Sequence, residues 1–101
     1  MNLRELSDQV EAVSVGYADK FEIRRDETWF ILKLHEEVGE LTQAYLRKCG
    51  QGRPGGESVE HWELRFREEL ADVLCHVLLL ARHHAVDLEA EIDAKWLAWK
   101  R

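Results

Sequence analysis

The sequence is poor in the residues that interrupt regular structure. It has one proline and six glycines in 101 residues, and four of those glycines crowd into the stretch Gly50–Gly56. That scarcity favours a helical globular protein over a disordered one. Cysteine is also sparse. Cys49 and Cys75 do not make a disulfide framework and read as reduced thiols of a cytoplasmic protein. No run of about 18 apolar residues exists, so nothing is expected to span a membrane. The opening MNLRELSDQV is charged and amphipathic and lacks the apolar core of a signal peptide. Positive charge is in deficit: 14 Lys and Arg against 20 Asp and Glu leave a net charge of −6. General binding to a nucleic-acid backbone, which needs a basic surplus, is not expected. A phosphate substrate stays open, because a divalent cation can bridge carboxylates to phosphates. Solenoid repeats, low-complexity tracts and strand-like alternation are absent as well.

What remains is helical periodicity in one domain. Leu3, Leu6, Val10 and Val13 recur at helical spacing, so a first helix is expected from about Asn2 to Val15–Gly16, with Tyr17, Phe21 and Ile23 either continuing it or folding over the bundle end. Asp26 or Thr28 caps a second helix, whose apolar stripe is Phe30, Leu34, Val38, Leu41 and Tyr45 and whose stop is Gly50. The loop Gly50–Gly56 carries Arg53, and is either a plain solvated connection or a flap over an anionic ligand. A long third helix runs from about Ser58 to His84. Its second half, Val73–Ala81, is apolar nearly all round, as in a central helix buried on two sides. Asp87 caps a fourth helix reaching from Leu88 to about Lys100. Helices joined by such connections form antiparallel neighbours, so the expected fold class is all-α, a four-helix bundle. A chain this short buries little of its surface alone and gains from oligomerisation.

Two of these helices carry paired acids. Glu37 and Glu40 lie three residues apart in WFILKLHEEVGELTQAYLRK, and Glu69 and Asp72 repeat the spacing in REELADVLCHVLLLA. Residues i and i+3 share a helix face. If the two faces meet, four carboxylates converge, and such a group repels itself or takes up protons unless a cation holds it. Hard oxygen ligands select Mg²⁺, with Mn²⁺ as substitute. Zinc motifs of the His-Glu-x-x-His and Cys-x-x-Cys kind are missing. A di-iron bundle would need Glu-x-x-His, and none of His35, His61, His76, His83 and His84 has a Glu three residues before it.

The motif E-E-V-G-E at Glu36–Glu40, followed after a spacer by E-E-L-A-D at Glu68–Asp72, resembles the MazG-like all-α nucleoside triphosphate pyrophosphohydrolases. Their pattern is E-x-x-E, a spacer, then E-x-x-D; here Glu37, Glu40, Glu69 and Asp72 match it, with 28 residues between the halves. The resemblance spans roughly Trp29 to Lys100. It implies four metal-holding acids and Mg²⁺-dependent hydrolysis of a nucleoside triphosphate to the monophosphate and pyrophosphate in nucleotide-pool house-cleaning. It also implies a homodimer or homotetramer with its sites between subunits. Held Mg²⁺ would bridge phosphate oxygens and lower the pKa of a bound water. Beside Glu37, Glu36 either orients or deprotonates the attacking water or simply faces solvent. Lys33 meets phosphate or serves as a structural counter-ion. Lys95 resembles a lysine at the family's last helix, whereas Trp99 stands where many members carry asparagine. His76 reads as a packing residue more than a ligand, and Trp29, Trp62, Trp96 and Trp99 include possible base-stacking surfaces. The competing expectation is a catalytically silent helical module that binds nucleotides or a partner protein.

Overall fold

The computed structural model describes residues 1–52 and 55–101. Arg53, and with it the expected flap, lies outside the described residues. The chain forms α1 (Leu3–Lys20), α2 (Glu27–Lys48), α3 (Val59–His83) and α4 (Leu88–Lys95), followed by a 3-10 turn at Leu97–Lys100. There is no strand among the described residues.

Each helix starts where a short polar side chain satisfies free backbone N–H groups. Asn2, Asp26, Ser58 and Asp87 accept from the N–H of Glu5, Trp29, His61 and Ala90 respectively. At α2 the cap is therefore Asp26, with Thr28 donating its hydroxyl to the same carboxylate at 3.0 Å. The three long helices share one way of stopping. After α1, α2 and α3 the chain turns through a left-handed residue, Glu22 (φ 53), Gly50 (φ 74) and Ala85 (φ 54). The next residue then reaches back five positions: Ile23 N–H to Ala18, Gln51 N–H to Leu46, and Val86 N–H to Ala81. These are Schellman stops, and only one of the three uses glycine.

Two expected boundaries shift. The first helix runs past Gly16 to Lys20, because Tyr17 and Ala18 continue it and Ala18 is buried. The fourth is shorter than expected. Its α-helix stops at Lys95, and the chain tightens into the 3-10 turn after Trp96. No side chain of α4 or the turn is buried, so tertiary packing does not hold the segment in one continuous helix.

α2 and α3 are antiparallel neighbours. Phe30 stacks on His83 at 4.5 Å near one end, and Tyr45 meets Phe66 at 5.8 Å near the other. α1 packs on α3, where Arg82 pairs with Asp8 at 2.6 Å. It also ties to the start of α2, where Arg25 donates to both carboxylate oxygens of Glu11 at 2.8 and 3.1 Å and to Ser14 Oγ at 3.1 Å. α3 is thus the central helix, but burial on all sides is not what the chain achieves: Leu78 and Leu79 are buried while Leu74 stays exposed. Five apolar side chains are buried among the described residues: Ala18, Phe30, Ala44, Leu78 and Leu79. The radius of gyration is 16.1 Å, against about 13 Å for a compact domain of this length. The single chain is an open arrangement of helices with a lean core.

Candidate functional site

The seam between α2 and α3 has acids in place of part of its apolar filling. Phe30, Glu37 and Ala44 follow one another at seven-residue steps on the face of α2 turned to α3, and all three are buried. Glu69 enters the same seam from α3 and is the most enclosed large side chain described, only 1% exposed, with Glu37 at 8%. One carboxylate oxygen each from Glu37, Glu69 and Asp72 lie within 4.8 Å of one another, and so do those of Glu36, Glu37 and Glu40. Glu37 belongs to both groups. The structure therefore gathers the four acids singled out by spacing into two groups joined at Glu37, with Glu36 beside Glu37 and Glu40 in one of them.

Two fixed cations meet this group among the described residues. Arg65 Nη2 donates to Glu69 Oε1 at 2.7 Å, and Lys33 Nζ reaches Glu36 at 3.2 Å and Glu37 at 4.0 Å. Burial pulls the Lys33 ammonium pKa down, but its hydrogen bond to Glu36 and the charges of Glu36 and Glu37 outweigh it, and the net shift is upward. Arg65, four residues before Glu69, is a partner that the sequence reading missed. The i, i+4 spacing was the signal that could have found it.

These two cations do not neutralise the cluster. Glu37 Oε2 and Glu69 Oε2 are buried, and no N–H or hydroxyl donor reaches them. Burial, a hydrogen bond shared with Glu69, and the charges of Glu40 and Asp72 push the Glu37 carboxyl up to about 7. Glu69 is also raised, by burial first and by the charges of Glu40 and Asp72, against the lowering effects of Glu37 and Arg65. Both shifts favour keeping a proton on this pair to higher pH than on an ordinary carboxyl. Carboxylates this close cannot all ionise in a partly dry seam. Two buried carboxyl oxygens that no N–H or hydroxyl donor reaches, within two carboxylate groups that share Glu37, suit a hard divalent cation.

His76, one turn beyond Asp72, sits at the edge of this set. Its Nε2 is 3.9 Å from Glu37 Oε1, and its Nδ1 is buried without a partner. Burial, then the charge of Lys33, lower its pKa, so it stays neutral and forms no ion pair there. The Trp29 ring lies edge-on to it at 6.1 Å. Trp62 is covered by the Arg47 guanidinium at 4.6 Å, whereas Trp96 and Trp99 are exposed at the C-terminal end. Lys95 is not gathered to the acids: it is exposed on α4, whose one substantial contact is with the turn that follows. Burial and then the Asp72 charge raise the Cys75 thiol pKa, which favours the less reactive protonated thiol. Among the described residues, no helix is long and apolar enough to cross a membrane. Comparisons of the chain with protein-family models, with curated proteins and with solved structures find no match.

Proposed function

We propose that this chain is a Mg²⁺-dependent nucleoside triphosphate pyrophosphohydrolase of the MazG-like kind, producing a nucleoside monophosphate and pyrophosphate in nucleotide-pool house-cleaning. The observation that supports it best is the pair of buried oxygens on Glu37 and Glu69 that no N–H or hydroxyl donor reaches, inside a cross-helix acid group. Structural acid faces are solvated or paired. Here Glu37 and Glu69 are buried, Glu36, Glu40 and Asp72 open to solvent, and the carboxylates outnumber the cations that meet them. In this reading Glu37, Glu40, Glu69 and Asp72 hold the cation, with Mn²⁺ able to replace Mg²⁺. A divalent ion there supplies positive charge to phosphate oxygens and makes water more acidic.

The remaining roles fall to residues around that set. Glu36 is half-exposed beside Glu37, placed to orient a water molecule and take its proton as that water attacks phosphorus. Lys33 is held on the acid face by Glu36 and Glu37, and exchanges those carboxylates for phosphate oxygens when substrate binds. Arg65 fixes the Glu69 carboxylate through one oxygen and leaves the other free for the ion. Lys95 reaches phosphates at this site only from a second copy in a homodimer or homotetramer, or after α4 repacks. The second reading is a catalytically silent module for nucleotides or a protein partner, and the extent of exposed apolar surface favours it.

A nucleotide panel separates the two. Purified protein is incubated with individual (d)NTPs and Mg²⁺, and products are resolved. Monophosphate plus pyrophosphate, lost in Glu37→Gln and Asp72→Asn, supports the enzyme. Diphosphate plus phosphate contradicts the proposed cleavage point, and no turnover on any nucleotide supports the silent module.

A further inference from the structure

His76 lies at the acid seam, and the reaction proposed above gives it no part. Its place there follows from the helix register. Phe30 stacks on His83 at 4.5 Å. Two turns along each helix from that contact stand Glu37 on α2 and His76 on α3, so the antiparallel pairing sets one across from the other. The imidazole is largely enclosed, its side chain 16% exposed, and the Trp29 ring stands edge-on to it at 6.1 Å. Its Nε2 faces Glu37 Oε1 at 3.9 Å. Its Nδ1 is buried and meets no hydrogen-bond partner among the described residues.

A neutral imidazole carries one N–H, and its surroundings choose which nitrogen holds it. Burial and the charge of Lys33 keep this ring neutral. With the hydrogen on Nδ1, a buried donor has no acceptor, and the Nε2 lone pair points at the lone pairs of a carboxylate. With the hydrogen on Nε2, the donor faces an acceptor, and one lone pair at Nδ1 is all that goes unsatisfied. The second arrangement is lower in energy, because both contacts of the first are unfavourable.

Two donors then flank one oxygen of Glu37. Lys33 Nζ stands 4.0 Å from Oε1 on the same helix, and His76 Nε2 stands 3.9 Å from it on the opposite one. Hydrogen bonds of this kind end near 3.2 Å, so a shift of roughly 1 Å closes either contact. The other oxygen, Oε2, is buried and reached by no N–H or hydroxyl donor. Once Glu37 is ionised with a cation at Oε2, its Oε1 becomes the stronger kind of acceptor, a charged one. The two donors are not equivalent. In the reading above, Lys33 exchanges the carboxylates for phosphate oxygens when substrate binds, whereas His76 is enclosed in the seam and stays.

We propose that His76 is a positioning residue of the acid cluster, donating through Nε2 to Glu37 Oε1 and so holding Oε2 turned towards the cation. The inference rests on the cation reading of Glu37, Glu40, Glu69 and Asp72. It gives His76 a role through Glu37, with no bond of its own to the ion.

Mn²⁺ affinity of the full chain, followed by electron paramagnetic resonance, tests it. His76→Phe keeps the bulk of the ring and removes both nitrogens, and is expected to bind Mn²⁺ about 10-fold or more weakly than wild type. His76→Gln, whose amide nitrogen reaches the place of Nε2, should recover most of that loss. His76→Asn, whose amide stops at the place of Nδ1, should not. Nitrogen NMR of Mg²⁺-loaded wild type, with the His76 signals assigned as those missing from His76→Gln, should show the hydrogen on Nε2 and a bare Nδ1. This readout decides the matter even if His76→Phe does not fold. A wild type that binds no Mn²⁺ removes the cation reading and this inference with it. Wild-type binding that a folded His76→Phe matches leaves the cation reading standing and overturns the inference alone. So does a hydrogen on Nδ1, or a nitrogen hyperfine coupling that makes His76 a ligand of the bound Mn²⁺.

Discussion

Replacing Glu37 by glutamine should stabilise the metal-free protein at alkaline pH, against the usual expectation for a buried polar residue. Folding raises the Glu37 carboxyl from an ordinary 4.5 to about 7. Between those values the native state keeps a proton that the unfolded chain has released, so the Glu37 contribution to stability falls as pH rises and levels off above about pH 7. A rise of that size corresponds to about 3 kcal/mol. Glutamine carries no charge at any of these pH values, and its amide can still donate to Glu69 as the protonated carboxyl does. At about pH 8, Glu37→Gln should therefore exceed wild type by about 1–3 kcal/mol, and the difference should shrink towards zero near pH 5. Comparing the two proteins matters, because the lowered pKa of His76 acts the other way: its contribution is lost as pH falls below its unfolded value. Urea unfolding at fixed protomer concentration, with chelator present, measures the difference across pH. Added Mg²⁺ should then stabilise wild type at about pH 8 and leave Glu37→Gln nearly unchanged. A glutamine variant less stable than wild type at about pH 8 without metal, or a gap that does not vary with pH, would refute this reasoning.

Three further outcomes follow from other parts of the structure. Ala85→Gly should raise stability by about 1 kcal/mol in thermal or urea unfolding, because Ala85 holds a left-handed φ of 54° that glycine adopts without strain. Arg25→Met should cost about 1–2 kcal/mol near neutral pH, since it removes the two-pronged contact with Glu11. Hydrogen bonding to Arg25 lowers the Glu11 pKa, so this contribution is present above the unfolded value of 4.5 and vanishes as pH falls through the folded one. Arg65→Met should cost about 1 kcal/mol without metal, a figure kept small because the guanidinium is 43% exposed. The loss should be partly recovered on adding Mg²⁺, as measured by the midpoint of thermal unfolding.

The helices and their starts were legible in the sequence because their causes are local. Ser58 and Asp87 each stand one residue before an apolar residue, Asp26 was one of two candidates just ahead of Trp29 and Phe30, and all three cap their helices. The end of α1 was not legible, whereas α3 stops at His83, within a residue of the expected His84. Gly50 announces its stop, but Glu22 and Ala85 adopt the same left-handed turn without a glycine, so nothing in the residue types marks the end of α1 at Lys20. Helical spacing placed Glu37 with Glu40 and Glu69 with Asp72 on common faces. That these faces meet is a property of the α2–α3 register, as is the burial that separates Glu37 and Glu69 from Glu40 and Asp72. The all-round apolar run Val73–Ala81 suggested a helix enclosed by its own chain. Leu74 stays exposed, so the chain encloses this run over only part of its circumference.

The central claim is that Glu37, Glu40, Glu69 and Asp72 hold a divalent cation, and Mn²⁺ binding followed by electron paramagnetic resonance tests it without requiring a substrate. The free-ion signal should fall on adding wild-type protein, recover when Mg²⁺ competes, and stay at the level of free Mn²⁺ with Glu37→Gln or Asp72→Asn. A wild-type protein that leaves the signal untouched, or variants that quench it as fully as wild type, would contradict a cation site at these acids.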